Sequence, residues 1–278
     1  MSKSLKACVI GHPITHSKSP LIHNSWIKKH GLSGEYKAID IAPEMLEKEV
    51  RALAMQGYNG FNVTVPHKES MLKICDHIDE NAAAIGAVNT VVIKDQKLFG
   101  MNTDGFGFLN NIYQAHPSFK FAKKHVAVLG AGGAARAIIV ALCAQGAAKI
   151  TILNRTTSRA QELKNDLPAS MQGVIEVGDW KMRDEALNGT DLLVNTTSLG
   201  MNGQAELELS LQHLPLGALV NDIVYAPLRT KLLQNAQERG HPIVTGIAML
   251  LHQARPAFEA WTGILPDVST ALQEQVLK

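Results

Sequence analysis

Lys68 and Asp104 each follow a predicted β-strand, and together they could exchange a proton with a substrate. The strand before Lys68 is predicted from the alternation in FNVTVPHKE, which puts Phe61, Val63 and Val65 on one face. A lysine near a carboxylate can donate a proton to a developing alkoxide, or accept one in the reverse direction. The pair therefore suits the reversible reduction of a carbonyl group. The alternative for Lys68 is that it lies on a solvated loop, as a single lysine after a strand usually does.

Small polar side chains follow several other predicted strands of the N-terminal part. Taken one at a time they suit capping or turns; Ser19, for example, suits the N-cap of a helix over 19–31 with Pro20 at its first position. Taken together they favour a small, hydroxyl-rich substrate, with Asn62 more a structural brace than a ligand. These residues are Ser17, Ser19, Asn62, Thr64, Asn89, Thr90, Asn102 and Thr103.

A glycine-rich turn lies between a predicted apolar strand at 126–129 and a long Ala-rich helix. Its sequence GAGGAA fits the pattern GxGxxA, which alone is a weak signal but is specific between a strand and a helix. The glycines allow close approach of the backbone to a pyrophosphate, and the helix N-terminus supplies N–H groups and the positive end of a dipole. The turn predicts a dinucleotide site made by Gly130, Ala131, Gly132, Gly133 and Ala134.

The residues after the next strand, KITILN, discriminate between the two nicotinamide dinucleotides. Folds that bind NAD usually place an Asp or Glu there to hold the ribose 2′-hydroxyl. This chain instead has Asn154, Arg155 and Thr156, followed by Arg159. An arginine fork can make bidentate bonds to a phosphate, so the segment favours NADP over NAD, although both arginines could also lie on a solvated helix start.

Strands and helices alternate along the chain, which predicts an α/β fold with two domains. The N-terminal part has an amphipathic helix over 43–57 and a hairpin around Lys94–Lys97. From residue 125 onward the pattern is that of a doubly wound parallel sheet of the Rossmann type. A helix over 246–263 follows, and Pro256 is expected to kink or break it.

The composition argues against several other classes of protein. A net charge of +2 is too mild to indicate a nucleic-acid partner, and no apolar run is long enough to span a bilayer. The three cysteines form no CxxC pair, and His12, His16 and His23 have no partner at a metal-ligand spacing, so we expect neither disulfides nor a metal. The N-terminus has no signal-like apolar stretch, so we expect a cytoplasmic protein.

Nine motifs together make the chain resemble the shikimate dehydrogenase family nearly from end to end. The family reduces 3-dehydroshikimate to shikimate with NADPH, reversibly, on the route to chorismate and the aromatic amino acids. The resemblance implies a substrate domain over 1–105 and 246–278, an NADP domain over 106–245, and an active site in the cleft between them. The motifs include GHPITHSKSPLIHN, NVTVPHK, GAVNT, NTDGFG, GAGGAAR, NRTTSRA and NTTSLGM.

The resemblance also implies roles for individual residues. Lys68 would be the acid/base, paired with Asp104, and Ser17 and Ser19 would hold the substrate carboxylate. The ring hydroxyls would be held by four side chains with a tyrosine beside them, namely Thr64, Asn89, Asp104, Gln253 and Tyr225. Gly130–Ala134 would cradle the pyrophosphate, and the segment from Asn154 to Arg159 would bind the 2′-phosphate. Ile223 and Gly246 would lie along the nicotinamide, and Glu80 would contact the cofactor from the opposite domain.

Two alternatives remain open at this stage. One is an NAD(P)-dependent quinate/shikimate dehydrogenase, against which the missing carboxylate after KITILN speaks. The other is an NADP sensor without catalytic activity, against which the presence of both Lys68 and Asp104 speaks. In either case the partners are a small molecule and, at most, a second copy of the chain, so we expect a monomer or homodimer.

Overall fold

The computed structural model describes residues 4–278, which form a mixed α/β protein with two compact units. The first unit comprises the chain up to Asp104 together with Leu251–Lys278, and the second comprises Gly105–Leu250. Each unit is built around one six-stranded sheet. The predicted α/β class is confirmed.

The first unit alternates strands and helices as the sequence predicts. The strands are β1 Leu5–Gly11, β2 Gly34–Asp40, β3 Gly60–Val63, β4 His77–Ile78, β5 Thr90–Lys94 and β6 Lys97–Met101. The helices are α1 Ser19–Lys29, a 3₁₀ turn at Pro43–Met45, α2 Leu46–Met55, α3 Lys68–Ile74, α4 Glu80–Ile85 and, near the C-terminus, α11 Thr270–Leu277. Helix α5, Asp104–Ala115, begins at the last residue of this unit's first segment.

The sheet of the first unit has the order β2-β1-β3-β5-β6-β4, with β5 antiparallel to both of its neighbours. The predicted hairpin is confirmed, because Lys94 pairs with Lys97 across a two-residue turn. Both turn residues, Asp95 and Gln96, have positive φ angles, as a tight hairpin turn with the right twist requires.

Alternate residues of these strands face different helices. Cys8, Ile10, Phe61 and Val63 lie in a core that includes Leu46, Val50, Leu53 and Ala54 of α2, the four residues predicted to form its apolar side. The opposite face carries Tyr36 and the α1 residues His23 and Trp26, which pack with aromatic residues near the C-terminus. The sheet is therefore covered on both faces, so its polar side chains can meet solvent or a ligand mainly at its ends.

The second unit has a parallel sheet, with α-helices following strands β7, β8 and β11. Its strands are β7 His125–Leu129, β8 Lys149–Leu153, β9 Ile175–Gly178, β10 Leu192–Asn195, β11 Leu219–Asp222 and β12 Ile243–Val244. Its helices are α6 Gly133–Ala144, α7 Thr157–Asp166, α8 Ala169–Gln172 and α9 Lys231–Glu238. Helix α10, Ile247–Thr262, starts in this unit and ends in the first.

The strand order of the second unit is β12-β11-β10-β7-β8-β9. Counted from β7, this is the order 6-5-4-1-2-3 of a doubly wound dinucleotide-binding fold. The order reverses between β7 and β10, and ligands of such folds bind at the carboxyl ends of the strands at this point. The predicted Rossmann topology is confirmed, although the short strands β9 and β12 at the two edges were not predicted.

Three local predictions are wrong. Val65 is 70% exposed, because β3 ends at Val63 and the chain turns at Thr64, whose carbonyl accepts the His67 N–H. Ser19 is the first residue of α1, and the N-cap of this helix is Lys18. The backbone N–H of Ser19 donates to Ser17 Oγ at 3.3 Å. Helix α10 is not broken at Pro256, which lies inside a continuous helix, so the predicted break is wrong, whereas the alternative of a kink stays a prediction.

Within residues 4–278, no helix combines the length and apolar character needed to cross a bilayer. The same residues contain no group of three or more His, Cys, Asp or Glu side chains placed to hold a metal ion. The three cysteines, Cys8, Cys75 and Cys143, are free thiols, and burial raises the pKa of each above its ordinary value.

Candidate active site

An ion pair between Lys68 and Asp104 forms the centre of the polar site in the first unit. Lys68 Nζ lies 2.5 Å from Asp104 Oδ2, and the two side chains are 18% and 7% exposed. Each residue is the first of its helix, α3 for Lys68 and α5 for Asp104. A partly exposed ammonium group held against a buried carboxylate is placed to exchange a proton with a ligand oxygen.

The backbone around each partner is fixed by further hydrogen bonds. The ring of the buried His67, which precedes Lys68, bonds through Nε2 to the Ile41 carbonyl oxygen at 2.7 Å. The Lys68 carbonyl accepts the Val88 N–H at 2.8 Å. On the other side, Asn102 Oδ1 accepts the Asp104 N–H at 3.0 Å, which caps the start of α5. The two charged groups are thus presented by rigid helix starts.

Asn89 joins Asp104 to the rest of the site. Its Nδ2 donates to Asp104 Oδ1 at 2.8 Å and to Thr103 Oγ1 at 2.9 Å, and it lies 3.5 Å from Gln253 Oε1. Its Oδ1 accepts the Thr103 N–H at 2.9 Å. Thr103 Oγ1 in turn donates to the Gln253 carbonyl oxygen at 2.8 Å. Lys68, Asp104, Asn89 and Gln253 are therefore brought together by hydrogen bonds.

Ser17, Ser19 and Thr64 lie beyond the ends of two adjacent strands. Ser17 and Ser19 follow β1, whereas Thr64 follows β3, which pairs with β1. All three side chains are half-buried. Gly11 is the last residue of β1, and a Cβ there would lie 2.6 Å from Thr64 Cγ2 and 3.0 Å from the Val65 carbonyl oxygen. Glycine at this position therefore allows the end of β1 to lie close to the turn after β3.

The glycine turn of the second unit has the geometry of a phosphate cradle. Gly130 has a φ of +108°, and a Cβ there would lie 2.6 Å from Thr196 Oγ1. Gly132 is the N-cap of α6 and offers no side chain to its N–H groups, and a Cβ at this position would meet no other atom within 4 Å. The α6 N-terminus therefore presents backbone donors to open space, which suits a pyrophosphate.

The segment after β8 is positively charged and lacks a carboxylate. Asn154 follows the last residue of β8, and its Nδ2 donates to the Thr156 carbonyl oxygen at 2.8 Å. Arg155 and Arg159 are exposed, and within residues 4–278 neither forms an ion pair with an acidic side chain. Two uncommitted guanidinium groups beside the end of the second strand fit an adenosine 2′-phosphate.

Ile223 and Gly246 are in direct contact, because a Cβ at Gly246 would collide with the Ile223 carbonyl oxygen. Both lie just past the carboxyl ends of strands β11 and β12. Tyr225 follows on the same loop, and burial raises the pKa of its hydroxyl above its ordinary value. Ile223, Gly246 and Tyr225 therefore lie at the end of the second sheet where its parallel strands terminate.

A buried carboxylate that sequence reasoning missed, Asp222, supports this loop. Asp222 Oδ1 accepts from Asn195 Nδ2 and from the Val224 N–H, both at 3.0 Å, and Oδ2 accepts from Thr230 Oγ1 at 2.7 Å. Burial raises the pKa of the Asp222 carboxyl above its usual range. Asn195 lies in the motif NTTSLGM and Asp222 in the segment NDIVY, residues 221–225, but neither pattern reveals that the two side chains bond to each other.

Two predicted site residues, Tyr225 and Glu80, do not lie in the same unit as the residues with which they are predicted to form a site. Tyr225 belongs to the second unit, whereas the other predicted substrate contacts belong to the first. Glu80 is an exposed residue at the start of α4 in the first unit, whereas the glycine turn belongs to the second. Their predicted contacts stay predictions.

Comparison with known proteins relates the whole chain to one family. Residues 9–91 match the shikimate dehydrogenase substrate binding domain, residues 113–201 match the shikimate/quinate 5-dehydrogenase family, and residues 246–274 match the shikimate 5′-dehydrogenase C-terminal domain. A protein of Paramagnetospirillum magneticum named shikimate dehydrogenase (NADP(+)) is 49% identical over 99% of both chains. The chain belongs to the shikimate dehydrogenase family. The family that the motifs predict is confirmed.

Solved structures show the same fold over the same length. The shikimate 5-dehydrogenase of Thermus thermophilus, in complex with NADP(H) and shikimate, is 34% identical, with a TM-score of 0.86 and 98% of both chains covered. The quinate dehydrogenase of Corynebacterium glutamicum, in complex with NAD, is 31% identical, with a TM-score of 0.90 and 99% of both chains covered. The fold of a shikimate dehydrogenase thus also occurs in a protein with another substrate and cofactor.

Proposed function

We propose that the protein catalyses the reversible, NADPH-dependent reduction of 3-dehydroshikimate to shikimate, a step of aromatic amino-acid biosynthesis. The observation that carries the proposal is the group of Lys68, Asp104 and Asn89, joined by hydrogen bonds of 2.5 and 2.8 Å, in a chain of the shikimate dehydrogenase family. A ketone reductase needs a proton donor beside the carbonyl oxygen and groups that orient the ring, and this group can supply both.

Lys68 is the proposed acid/base. In the direction of reduction, Nζ donates a proton to the carbonyl oxygen while the carbonyl carbon receives a hydride, and in the oxidation of shikimate Nζ accepts the proton from the hydroxyl. Asp104 keeps Nζ in place through the 2.5 Å contact and can accept a hydrogen bond from a ring hydroxyl. Placement of the proton donor before the reaction avoids the entropy cost of bringing it to the substrate.

The other polar residues of the first unit orient the substrate in this proposal. The hydroxyls of Ser17 and Ser19 hold the carboxylate, and the amides and hydroxyl of Asn89, Gln253 and Thr64 hold the ring hydroxyls. Tyr225 contributes from the second unit. These side chains are neutral or, in Asp104, acidic, so the ring itself is recognised through hydrogen bonds and not through ion pairs.

NADP is the cofactor, and when bound it supplies and accepts the hydride. Gly130–Ala134 and the α6 N-terminus hold the pyrophosphate, and the segment with Asn154, Arg155, Thr156 and Arg159 binds the 2′-phosphate. Ile223 and Gly246 line the nicotinamide half of the site, with Glu80 as a further contact. The positive φ of Gly130 and the open space at Gly132 support this assignment.

One spectrophotometric experiment tests the proposal, crossing shikimate and quinate with NADP⁺ and NAD⁺. We expect the highest kcat/KM for shikimate with NADP⁺. The matching experiment in reverse is oxidation of NADPH with 3-dehydroshikimate. Equal or better rates with NAD⁺ would contradict the assignment of Arg155 and Arg159, and no turnover of either alcohol would contradict the proposed reaction.

The second candidate is an NAD(P)-dependent quinate/shikimate dehydrogenase. The high structural similarity to the quinate dehydrogenase of Corynebacterium glutamicum favours it, because the same fold accommodates that enzyme's reaction. Against it stand Asn154, Arg155 and Thr156, which provide no carboxylate for a ribose 2′-hydroxyl. A higher kcat/KM for quinate than for shikimate in the same experiment would favour this candidate.

We also propose the cellular location, the partner and the oligomeric state of the enzyme. We place it in the cytoplasm, where reducing conditions keep free thiols such as Cys8, Cys75 and Cys143 unpaired. The partner is a small molecule, and the chain acts as a monomer or homodimer. Sedimentation of the purified protein decides between these two states.

A further inference from the structure

Five side chains of the first unit form one continuous series of hydrogen bonds that ends at Asp104. The Tyr36 hydroxyl donates to Asn62 Oδ1 at 2.6 Å, and Asn62 Nδ2 donates to Thr90 Oγ1 at 3.0 Å. Thr90 Oγ1 donates to Asn89 Oδ1 at 3.0 Å, and Asn89 Nδ2 donates to Asp104 Oδ1 at 2.8 Å. We name Tyr36, Asn62, Thr90, Asn89 and Asp104 the donor series.

The direction in which each hydrogen bond of the donor series is donated follows from the contacts of Asn89. The Thr103 backbone N–H can only donate, so Asn89 Oδ1, which it contacts at 2.9 Å, is an acceptor and Nδ2 faces the Asp104 carboxylate. Thr90 must then donate to Asn89 and accept from Asn62. Asn62 Oδ1 is left as the acceptor for the Tyr36 hydroxyl. Each of the other four members therefore donates a hydrogen bond to the next member on the way to Asp104. Hydrogen bonds aligned in this way strengthen one another.

Two members of the series, Tyr36 and Thr90, belong to strands β2 and β5 of the sheet. They are 2% and 0% exposed, and the proposed function gives neither of them a substrate contact. Thr90 lies directly opposite Asn62 in the antiparallel pairing of β3 and β5, which fixes the bond between them by strand register. Tyr36 comes from β2 and reaches Asn62 across the intervening strand β1, on which Ala7 is the partner of Tyr36 and Val9 the partner of Asn62.

The other end of the series is joined to the helix that carries Ser19. Asn24 of the same helix α1 clamps the Tyr36 backbone with two bonds of 2.9 Å, one to the carbonyl oxygen and one from the N–H. His23 stacks on the Tyr36 ring with centroids 4.2 Å apart. Tyr36 is thus the point at which α1 is attached to the donor series.

We propose that Thr90 and Tyr36 are positioning residues that set the distance and orientation between Ser19 and the Asp104–Lys68 pair. This inference rests on the proposed function, in which Ser19 holds the substrate carboxylate at one end and Lys68 exchanges a proton at the other. The two ends belong to α1 and to the starts of α3 and α5. Backbone hydrogen bonds already join the loop after β1 to the loop after β3, for example from the His12 N–H to the Val65 carbonyl oxygen. The donor series adds a connection through side chains between α1 and Asp104.

Substitutions at Thr90 can separate hydrogen bonding from packing. Thr90→Val keeps the shape but removes the hydroxyl, whereas Thr90→Ser keeps the hydroxyl and removes a methyl group. In the valine variant Asn89 Oδ1 still accepts the Thr103 N–H and Asn62 Nδ2 still faces the Asn89 carbonyl oxygen at 3.4 Å, so we expect the fold to persist. Thr190→Val is the matched control, because Thr190 is equally buried and its Oγ1 has no hydrogen-bond partner within residues 4–278.

The experiment measures kcat and KM for shikimate and for NADP⁺ in wild type and in these three variants. We expect Thr90→Val to lower kcat/KM for shikimate roughly three- to tenfold, the range that one lost hydrogen bond corresponds to. The KM for NADP⁺ should stay within about twofold, because the donor series lies wholly in the first unit. Thr90→Ser and Thr190→Val should stay within about twofold of wild type in every constant.

A second variant tests the series from its far end. Tyr36→Phe should raise KM for shikimate, because the bond to Asn62 that joins α1 to the donor series is lost. Combining it with Thr90→Val should give less than the product of the two single losses, since both substitutions break one series. Wild-type kcat/KM in Thr90→Val, or equal losses in Thr90→Ser, would overturn the inference while leaving the proposed function intact. An inactive wild-type enzyme would instead overturn the proposed function, and the inference with it.

Discussion

Lys68 and Asp104 are separated by 36 residues, yet Nζ of one lies 2.5 Å from Oδ2 of the other. The pairing arises because β3 and β6 end on the same side of the first sheet, and α3 and α5 start just beyond these two strand ends. Lys68 Nζ and Asn89 Nδ2 both bond to the Asp104 carboxylate, so the ion pair is organised by side chains of the protein itself. An acid/base held in this way meets the geometric requirement for proton transfer.

Removal of the ammonium group should affect turnover far more than binding. We expect Lys68→Ala to lower kcat by about 10²–10⁴-fold with little change in KM, because an acid/base acts mainly in the transition state. Steady-state kinetics with shikimate and NADP⁺ measure both constants. Lys73→Ala is the control, since Lys73 is an exposed lysine in the last turn of the same helix. A raised KM with an unchanged kcat would show that Lys68 only binds the substrate.

Loss of one guanidinium group should change the choice of cofactor. We expect Arg155→Ala to raise KM for NADPH about tenfold or more and to leave KM for NADH nearly unchanged, because only NADPH carries the 2′-phosphate that the fork can bind. Fluorescence titration of both cofactors gives the same comparison without turnover. Arg239→Ala, an exposed arginine at the end of α9, should bind both cofactors as wild type does. An unchanged NADPH/NADH ratio in Arg155→Ala would place the phosphate elsewhere.

The fold was predictable from the sequence where periodicity extends over a whole element. The apolar side of α2 and the hairpin at Lys94–Lys97 follow from local patterns, as does the glycine turn after β7. Strands β4 and β12 were not predictable, because two residues are too few to show alternation. Strand β9 has only four residues and lies at an edge.

The candidate site was predictable as a set of residues but not as a set of contacts. Polar residues at strand ends indicate that a site exists, because parallel strands end at the same edge of a sheet. The bonds that organise it are non-local: Tyr36 reaches Asn62, and Asp222 reaches Asn195, over distances in sequence that no motif encodes. Tyr36, for example, is not among the residues that the sequence singles out, and its hydroxyl becomes meaningful only once β2 is known to lie two strands from β3.

The wrong prediction for Val65 gives a matched pair of substitutions. Val63 is 2% exposed in the core of the first unit, whereas Val65 is 70% exposed beyond the end of β3. We expect Val63→Ala to lower the free energy of unfolding by about 2 kcal/mol, through lost apolar burial and a residual cavity. Val65→Ala should change it by less than about 0.5 kcal/mol. Urea denaturation measures both values, and equal losses would mean that Val65 is buried after all.

His23 should make the protein less stable as the pH falls. Burial lowers the pKa of His23 from 6.5 to about 3, and its ring packs against Tyr36, Trp26 and Trp261 with both nitrogens lacking a hydrogen-bond partner within residues 4–278. Because the unfolded chain binds a proton below pH 6.5 and the folded chain does not, the stability that the neutral ring contributes is fully present above pH 6.5 and is lost as the pH falls toward about 3.

The size of this loss can be isolated with one variant and one control. Between neutral pH and about pH 4.5 the linkage at His23 corresponds to a loss of about 2 to 3 kcal/mol in the free energy of unfolding. His23→Phe keeps an aromatic ring that can stack on Tyr36 but cannot take up a proton, so its stability should fall less over the same range by about that amount. His16→Gln, at an exposed position, should follow the wild-type curve. Denaturant unfolding of the three proteins at both pH values makes the comparison, because the contributions of all other groups cancel in the difference. Parallel curves for His23→Phe and wild type would show that the His23 ring is protonated in the folded protein.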